Sequence, residues 1–368
     1  MLALLFSLVL HVAAGESINA ALDSARAVYA NRGERTTIYI APGTYQEELT
    51  IDIPGLKLKN AAKKPSIGLL NHGVDCDDNA VRITWYYGHG YQYASMGGIP
   101  NYGGSRTRRW NASVLVTAPD FYAENIIFEN SFNLYVSEKE AQDSLVDISQ
   151  SDMPWTEKER PKKVMPTRPK EVGSTEVAKK AYRERAAAIS FTETATNAYL
   201  KNCTAIGKQD VLYGDQGASI YWKGGVLSGA VDFIFGAMKL VVDHATIIAN
   251  VTDEKNDNCY ISAGRSGTED SIAHGMLFWH CHIQSPVPQR TWLARPWRWW
   301  GQTVWAYTTW EDDVLVPEAW HTGLTKGKEC PNSYEYKSQD RSVGRPNWVT
   351  ILTKPILPDG TKIDPKTW

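Results

Sequence analysis

Five ten-residue blocks constrain the fold more than any other feature of this chain. They are Phe121–Asn130, Ala198–Gly207, Ile220–Gly229, Leu240–Ala249 and Met276–Ser285. Each consists of a short β-prone run, a polar or glycine turn, and a second β-prone run. The blocks that begin at 198, 220 and 240 follow one another at intervals of 22 and 20 residues. A period near 20 with two or three short strands per repeat indicates a β-solenoid, whose units bury their apolar faces by stacking. An antiparallel sandwich would have similar strand lengths, but it gives no reason for the Asn or Gly turn to recur in phase. The expected class is therefore all-β, a parallel β-helix built as a single-stranded solenoid. In such a coil, residues one turn apart become neighbours at about 4.8 Å.

The chain has 368 residues, of which 43% are hydrophobic and 22% charged, so a large core is available. A net charge of −2 leaves no basic excess to neutralise phosphates, which excludes nucleic acid as the main partner. No run after the N-terminus is long and apolar enough to span a membrane. Of the fourteen Trp and eighteen Tyr, most are expected to pack in the core or on the surface, and the remainder to offer flat apolar faces for sugar rings. Five scattered cysteines form no CxxC pair, and Cys203 and Cys281 fall at one repeat position as small core residues. In a strand, His280 and His282 share one face with Cys281 on the other, so no metal site is expected there. Residues 1–15 read either as a signal peptide that lacks its basic n-region or as a first strand, followed by a short helix from Ser17 to Val28. Residues 16–368 read as one domain, interrupted by an excursion over 131–185 that is helix-like from Thr175 to Arg185. The tail after Trp320 is expected to pack along the outside of the coil.

Two isolated aspartates stand in matching settings, Gln209-Asp-Val-Leu-Tyr-Gly214 and Val231-Asp-Phe-Ile-Phe-Gly236. Asp210 and Asp232 are 22 positions apart, one coil of the expected solenoid, and so become neighbours. A carboxylate beside a buried strand is costly unless it is paired or has chemical work to do. Arg295, in Leu293-Ala-Arg-Pro-Trp297, precedes a proline and is held extended, which suits a guanidinium that must aim its fork at a carboxylate. An Arg-paired carboxylate stays ionised as a nucleophile, while a second carboxyl beside it is pushed upward and stays protonated. That division of labour serves ester hydrolysis. The same three residues also fit a buried ion network that only fixes strand register.

Together, Gly43-Thr-Tyr-Gln-Glu47, Gln209–Tyr213, Asp232–Gly236 and Leu293–Trp297 closely resemble, in order, the signature motifs of the pectin methylesterases, carbohydrate esterase family eight. The resemblance spans roughly residues 16 to 325 and implies a right-handed parallel β-helix. It implies that Asp232 attacks the carbonyl of a galacturonate methyl ester, and that Asp210 protonates departing methanol and then activates water. Gln209 would donate to the oxyanion, Arg295 would hold Asp232, and Trp297, Tyr213 and Phe235 would line the sugar cleft. No metal or organic cofactor is implied. The implied partner is methyl-esterified homogalacturonan or its oligomers, met by a monomer that is secreted or periplasmic. Three departures stand out. Arg185, in Arg185-Ala-Ala-Ala-Ile189, occupies the place of a Gln, where it either stabilises an oxyanion or salt-bridges Asp210. Ala294 replaces a Gly, and the spacing between the aspartates is one residue longer, absorbed between Gly214 and Ser219.

Other readings keep part of this pattern. One is an esterase or thioesterase of the same fold acting on a different acyl substrate; another is a non-catalytic polysaccharide-binding β-helix. A pectate lyase would need a calcium-binding acidic cluster, for which Asp75-Cys-Asp77-Asp78 is the nearest match, though it reads better as a solvated loop. The excursion directly precedes Arg185 and is expected to influence the range of substrates accepted. Sequons at Asn111, Asn202 and Asn250 fall in predicted strands or turns.

Overall fold

The computed structural model describes residues 7–70, 75–97, 111–147, 168–265, 275–297, 300–322, 330–339 and 344–368. Among them the strands assemble into three long sheets of eleven, eight and seven members, paired in parallel throughout. The chain visits the three sheets in rotation. Ala198–Lys201 lies in the first, Thr204–Ile206 in the second and Leu212–Gly214 in the third, before Ser219–Lys223 returns to the first. Ala198 pairs with Ile220, Thr204 with Val226 and Leu212 with Ile234, so one coil here is the 22-residue repeat seen in the sequence. This is the parallel β-helix that the repeat predicts.

Each block bends at a left-handed residue. Asn125, Asn202, His244 and His280 have φ of 56°, 48°, 57° and 50°. Asn is enriched at such angles, where β-branched residues are strained. The coil at 220–229 uses Gly224 and Gly225 instead. At Gly225 (φ +72°) a Cβ would lie 2.0 Å from the Cys203 carbonyl of the preceding coil, so only glycine fits. His280 corrects the expectation for the His-Cys-His run. It is the turn residue rather than a strand residue, and its ring stacks between His244 at 4.9 Å and Tyr307 at 4.6 Å. Cys281 turns into the core and His282 opens the next strand.

Inside the coil, like positions form continuous columns. Ile38, Leu58, Ala123, Leu200, Trp222, Val242, Phe278 and Trp305 are successive partners down the eleven-stranded sheet, all at 0% exposure. Phe278 and Trp305 stack with centroids 3.8 Å apart. A fully buried side chain of this size contributes about 1.5–3 kcal/mol, and the column repeats that gain at each turn.

At the start, Ser7–Val12 forms a strand paired with Arg35–Ile40. The helix Ile18–Arg32 is longer than expected, beginning at the Ser17 cap and ending where Gly33 adopts φ 65°. Glu47 of the first motif is structural. Its carboxylate accepts from Ser17 Oγ and from the Ile18 and Asn19 backbone N–H groups, the anion-favouring end of that helix. The final residues Leu357, Ile363 and Trp368 pack on the outer face of the coil against Val241, Leu277 and Val304.

The excursion differs from its expected form. Its α-helix is Glu138–Gln142, capped by Ser137, whereas 175–185 holds only the single 3-10 turns Glu176–Ala178 and Lys180–Tyr182. Ion pairs with distant partners, rather than helix propensity, hold this stretch. Arg168 lies 2.7 Å from Glu140 and over the Phe132 ring, and Arg183 forks onto Asp257 at 2.6 and 3.1 Å. Residues 148–167 of the excursion lie outside the described residues. Asp75-Cys-Asp77-Asp78 begins in a small hairpin, where Asp77 accepts from Ser66 Oγ. The Asn111 sequon residue is 1% exposed, with its amide donating to the Gly88 carbonyl.

Candidate active site

The turn between the eight- and seven-stranded sheets sets the two aspartates side by side. Gln209 bridges Arg185 in the preceding coil and Val231 in the following one, and Asp210 N–H donates to the Val231 carbonyl at 3.2 Å. With Leu212 opposite Ile234, the register places Asp210 next to Asp232. Both adopt left-handed backbone angles, φ 55° and 47°, which Asp tolerates better than most residues. The longer inter-aspartate spacing leaves this stacking intact. The turn from the seven-stranded to the eleven-stranded sheet runs over 214–219 in one coil and 236–239 in the next.

Arg295 comes from two coils further on, since Val231 pairs with Tyr260 and Tyr260 with Trp292. It reaches back across the intervening coil and forks onto Asp232, with Nε to Oδ1 at 3.0 Å and Nη2 to Oδ2 at 2.6 Å. The guanidinium lies 3.9 Å from the centre of the Tyr260 ring, whose edge meets His321. Arg185 approaches from the other side, its Nε 3.7 Å from Asp210 Oδ2, an ion pair without a close hydrogen bond. Arg185 O accepts from the His89 backbone N–H, and burial, with Arg185 adding, pushes the His89 imidazole down to about 3. That ring is neutral at ordinary pH.

The two carboxyls are buried, at 2% and 3% exposure, yet have different surroundings. Burial pushes Asp210 well above the usual carboxylate range; Arg185 and Arg295 oppose this, while Asp232 adds to it. Burial also raises Asp232, against the lowering expected from its Arg partner. The Arg295 charge and hydrogen bonds pull it back without overcoming desolvation. Asp232 receives the forked salt bridge, and Asp210 the more distant Arg185. The forked salt bridge makes Asp232 the carboxyl better held as an anion.

The Gln209 carboxamide is half-buried and makes no hydrogen bond to any described residue, leaving its N–H donors for a ligand. Tyr213 and Phe235 are partners in the seven-stranded sheet with rings 5.6 Å apart, and Trp297 meets Phe235 edge-on at 5.7 Å. Tyr213 and Phe235 are 1% and 4% exposed, so they back the wall; half-buried Trp297 is its accessible face. All eight residues singled out in the sequence therefore lie along one stretch of the coil. Tyr260 and His89 were missed. Tyr260 carried a signal, because its run Tyr260–Gly264 is β-prone and lies one coil before Leu293-Ala-Arg; His89, distant in sequence, carried none.

The family model described as Pectinesterase matches residues 173–342, a range that includes Arg185, both aspartates and Arg295. Among curated proteins the chain is similar to "Probable pectinesterase 8" of Arabidopsis thaliana, 26% identical over 293 residues, which cover 78% of this chain and 55% of that protein. It is also similar to "Pectinesterase 4" of the same plant, 32% identical over 164 residues, covering 41% and 27% respectively. The chain thus spans about half, or less, of the length of these relatives. Among solved structures, a pectin methylesterase from Yersinia enterocolitica superposes with a TM-score of 0.62 at 22% identity, over 92% of this chain and 94% of that one. One from Aspergillus niger gives 0.62 at 20% identity over 97% and 92%. These likenesses agree with the β-helix derived above.

Proposed function

We propose that this chain, whose residues 173–342 match the pectinesterase family model, hydrolyses galacturonate methyl esters of pectin, releasing methanol and leaving the free carboxylate. The observation that carries the reading is the asymmetric carboxyl pair. Asp232 is forked by Arg295, and Asp210 beside it is pushed well above its usual range. Asp232 attacks the ester carbonyl carbon, and the Gln209 amide donates to the oxygen that becomes negative. As the tetrahedral intermediate collapses, Asp210 gives its proton to the departing methoxy oxygen and an acyl-enzyme anhydride remains. Asp210, now a carboxylate, takes a proton from water, which attacks the same carbonyl carbon and frees Asp232. Trp297 offers the sugar its flat face.

The substrate proposed is methyl-esterified homogalacturonan or its oligomers, met by a monomer outside the cytoplasm. A solved pectin methylesterase in complex with a hexasaccharide, 19% identical to this chain, supports a saccharide in such a cleft. No helix among the described residues is long and apolar enough to cross a membrane. The excursion, joined to the site through Arg185, is proposed to tune the range of substrates. One observation favours a second reading, an ester other than pectin's: a charged Arg185 stands beside Asp210 where the pectin-directed motif has a neutral Gln.

The deciding experiment is methanol release from highly methylated pectin with calcium chelated, wild type beside Asp232→Asn and Asp210→Asn. Methanol from wild type alone is the expected result. Turnover by either variant at wild-type rate would remove the assigned roles, and a folded but silent wild type would favour the altered ester.

A further inference from the structure

A second cavity, of about 650 Å³, opens on the outer face of the eight-stranded sheet, and none of Asp210, Asp232 and Arg295 lines it. Its floor is one column of stacked side chains, Ile206, Ser228, Ile248 and Gln284, each in register with the next. The excursion forms the opposite wall. That wall is fastened to the coil by the Arg183–Asp257 fork and by Lys180 N–H donating to Glu254 at 3.0 Å. The floor alternates apolar and polar groups over four strands, a length of about 14 Å at the usual strand spacing. The volume lies in the range of small-molecule sites.

Lys208 stands at one end. It is 6% exposed, and its Nζ donates to the Asn250 carbonyl. Among the described residues no other acceptor lies within hydrogen-bond reach, which leaves two of its three donors unused. Asn250 Oδ1 beside it is buried and also lacks a partner among the described residues. A buried ammonium with most of its donors unfilled is costly, and an anion seated against it offsets that cost. Asp257, a carboxylate whose charge acts on Lys208, is already occupied by Arg183 and by the Thr252 N–H and hydroxyl.

We propose that this groove binds an amphipathic organic acid, with its carboxylate on the Lys208 ammonium and its apolar body along Ile206 and Ile248. A hydroxyl near the head, or a water carried in with it, fills the Asn250 acceptor. The interaction follows the charge on Lys208. Burial, with the Arg183 charge adding, lowers that amine to about 8, while Asp257, Cys259 and Glu254 oppose the shift. Affinity for an anion is therefore full below that pH and declines above it.

Decanoate titrated calorimetrically into the full chain at neutral pH tests this. Saturable binding at one site is expected, weakened at least ~10-fold in Lys208→Met, the equivalent of about 1.4 kcal/mol. Ile248→Trp, which fills the floor and keeps the lysine, is expected to abolish binding. Decyltrimethylammonium, with the same chain and a cationic head, should not compete. The absence of saturable binding to wild type, equal affinity in Lys208→Met, or competition by the cation would each overturn the assignment. Ester hydrolysis plays no part in the readout.

Discussion

Replacing Arg295 with Lys tests the carboxyl pair more sharply than removing either aspartate. The guanidinium makes two bonds to Asp232, at 3.0 and 2.6 Å, and its central carbon lies 3.9 Å from the centre of the Tyr260 ring. A lysine keeps the positive charge but presents it as a point, and satisfies one carboxylate oxygen instead of two. The loss is one charge-assisted hydrogen bond, about 1.5–3 kcal/mol. If that bond serves to hold Asp232 as an oriented anion, kcat/KM for methanol release falls by roughly 10- to 150-fold, at 1.36 kcal/mol per decade. The pH profile changes in a defined sense as well. Arg295 opposes the upward push that burial exerts on Asp232. With that opposition weakened, Asp232 ionises at higher pH and the acid limb of kcat/KM moves upward. The assay is initial-rate methanol release across the pH range, with circular dichroism to confirm folding. A folded Arg295→Lys enzyme within twofold of wild type, with an unmoved acid limb, would refute the role given to the fork.

Three further outcomes follow from the same geometry. Arg185→Gln removes a charge that lowers Asp210, so Asp210 stays protonated to higher pH and the alkaline limb moves upward; a uniform fall in kcat with both limbs fixed would assign Arg185 to the oxyanion instead. Arg183→Met leaves Asp257 buried without its fork, in a pair whose side chains are 4% and 0% exposed, and is expected to cost about 3–5 kcal/mol in denaturant unfolding. The Arg183 pairing and the Thr252 bonds hold Asp257 down at about 2 despite its burial. Wild type therefore keeps this contribution above the unfolded value of about 3.9 and loses it as pH falls through about 2, whereas Arg183→Met should show a flatter acid dependence.

Legibility in the sequence tracked how local each feature is. The ten-residue blocks were readable because a solenoid writes its fold into neighbouring repeats, down to the Asn turn at 125 and 202. Asp210 and Asp232 were readable as neighbours for the same reason. His280 was misread because strand alternation fails at a turn, and only the alignment with His244 reveals that it is one. The lowered Asp232 expected from Arg295 did not appear because burial, which a motif does not reveal, outweighs the salt bridge. Arg183–Asp257, separated by 74 positions, depends on the path of the excursion, which has no repeat to betray it. Tyr260 beneath Arg295 was within reach of the repeat and was overlooked.

Splitting the carboxyl pair between successive coils makes the site a junction, a property no single coil possesses. A duplicated coil spliced in before Arg185 or after Arg295 would be absorbed as extra length. Between Asp210 and Asp232 the same insertion would leave the stack intact and destroy the chemistry. Growth by duplication is thus permitted to the scaffold on either side and forbidden across the coils from Arg185 to Arg295, whose fork must span two coils to reach Asp232, so whole-coil differences in length among proteins built this way should be confined to the flanks of that stretch.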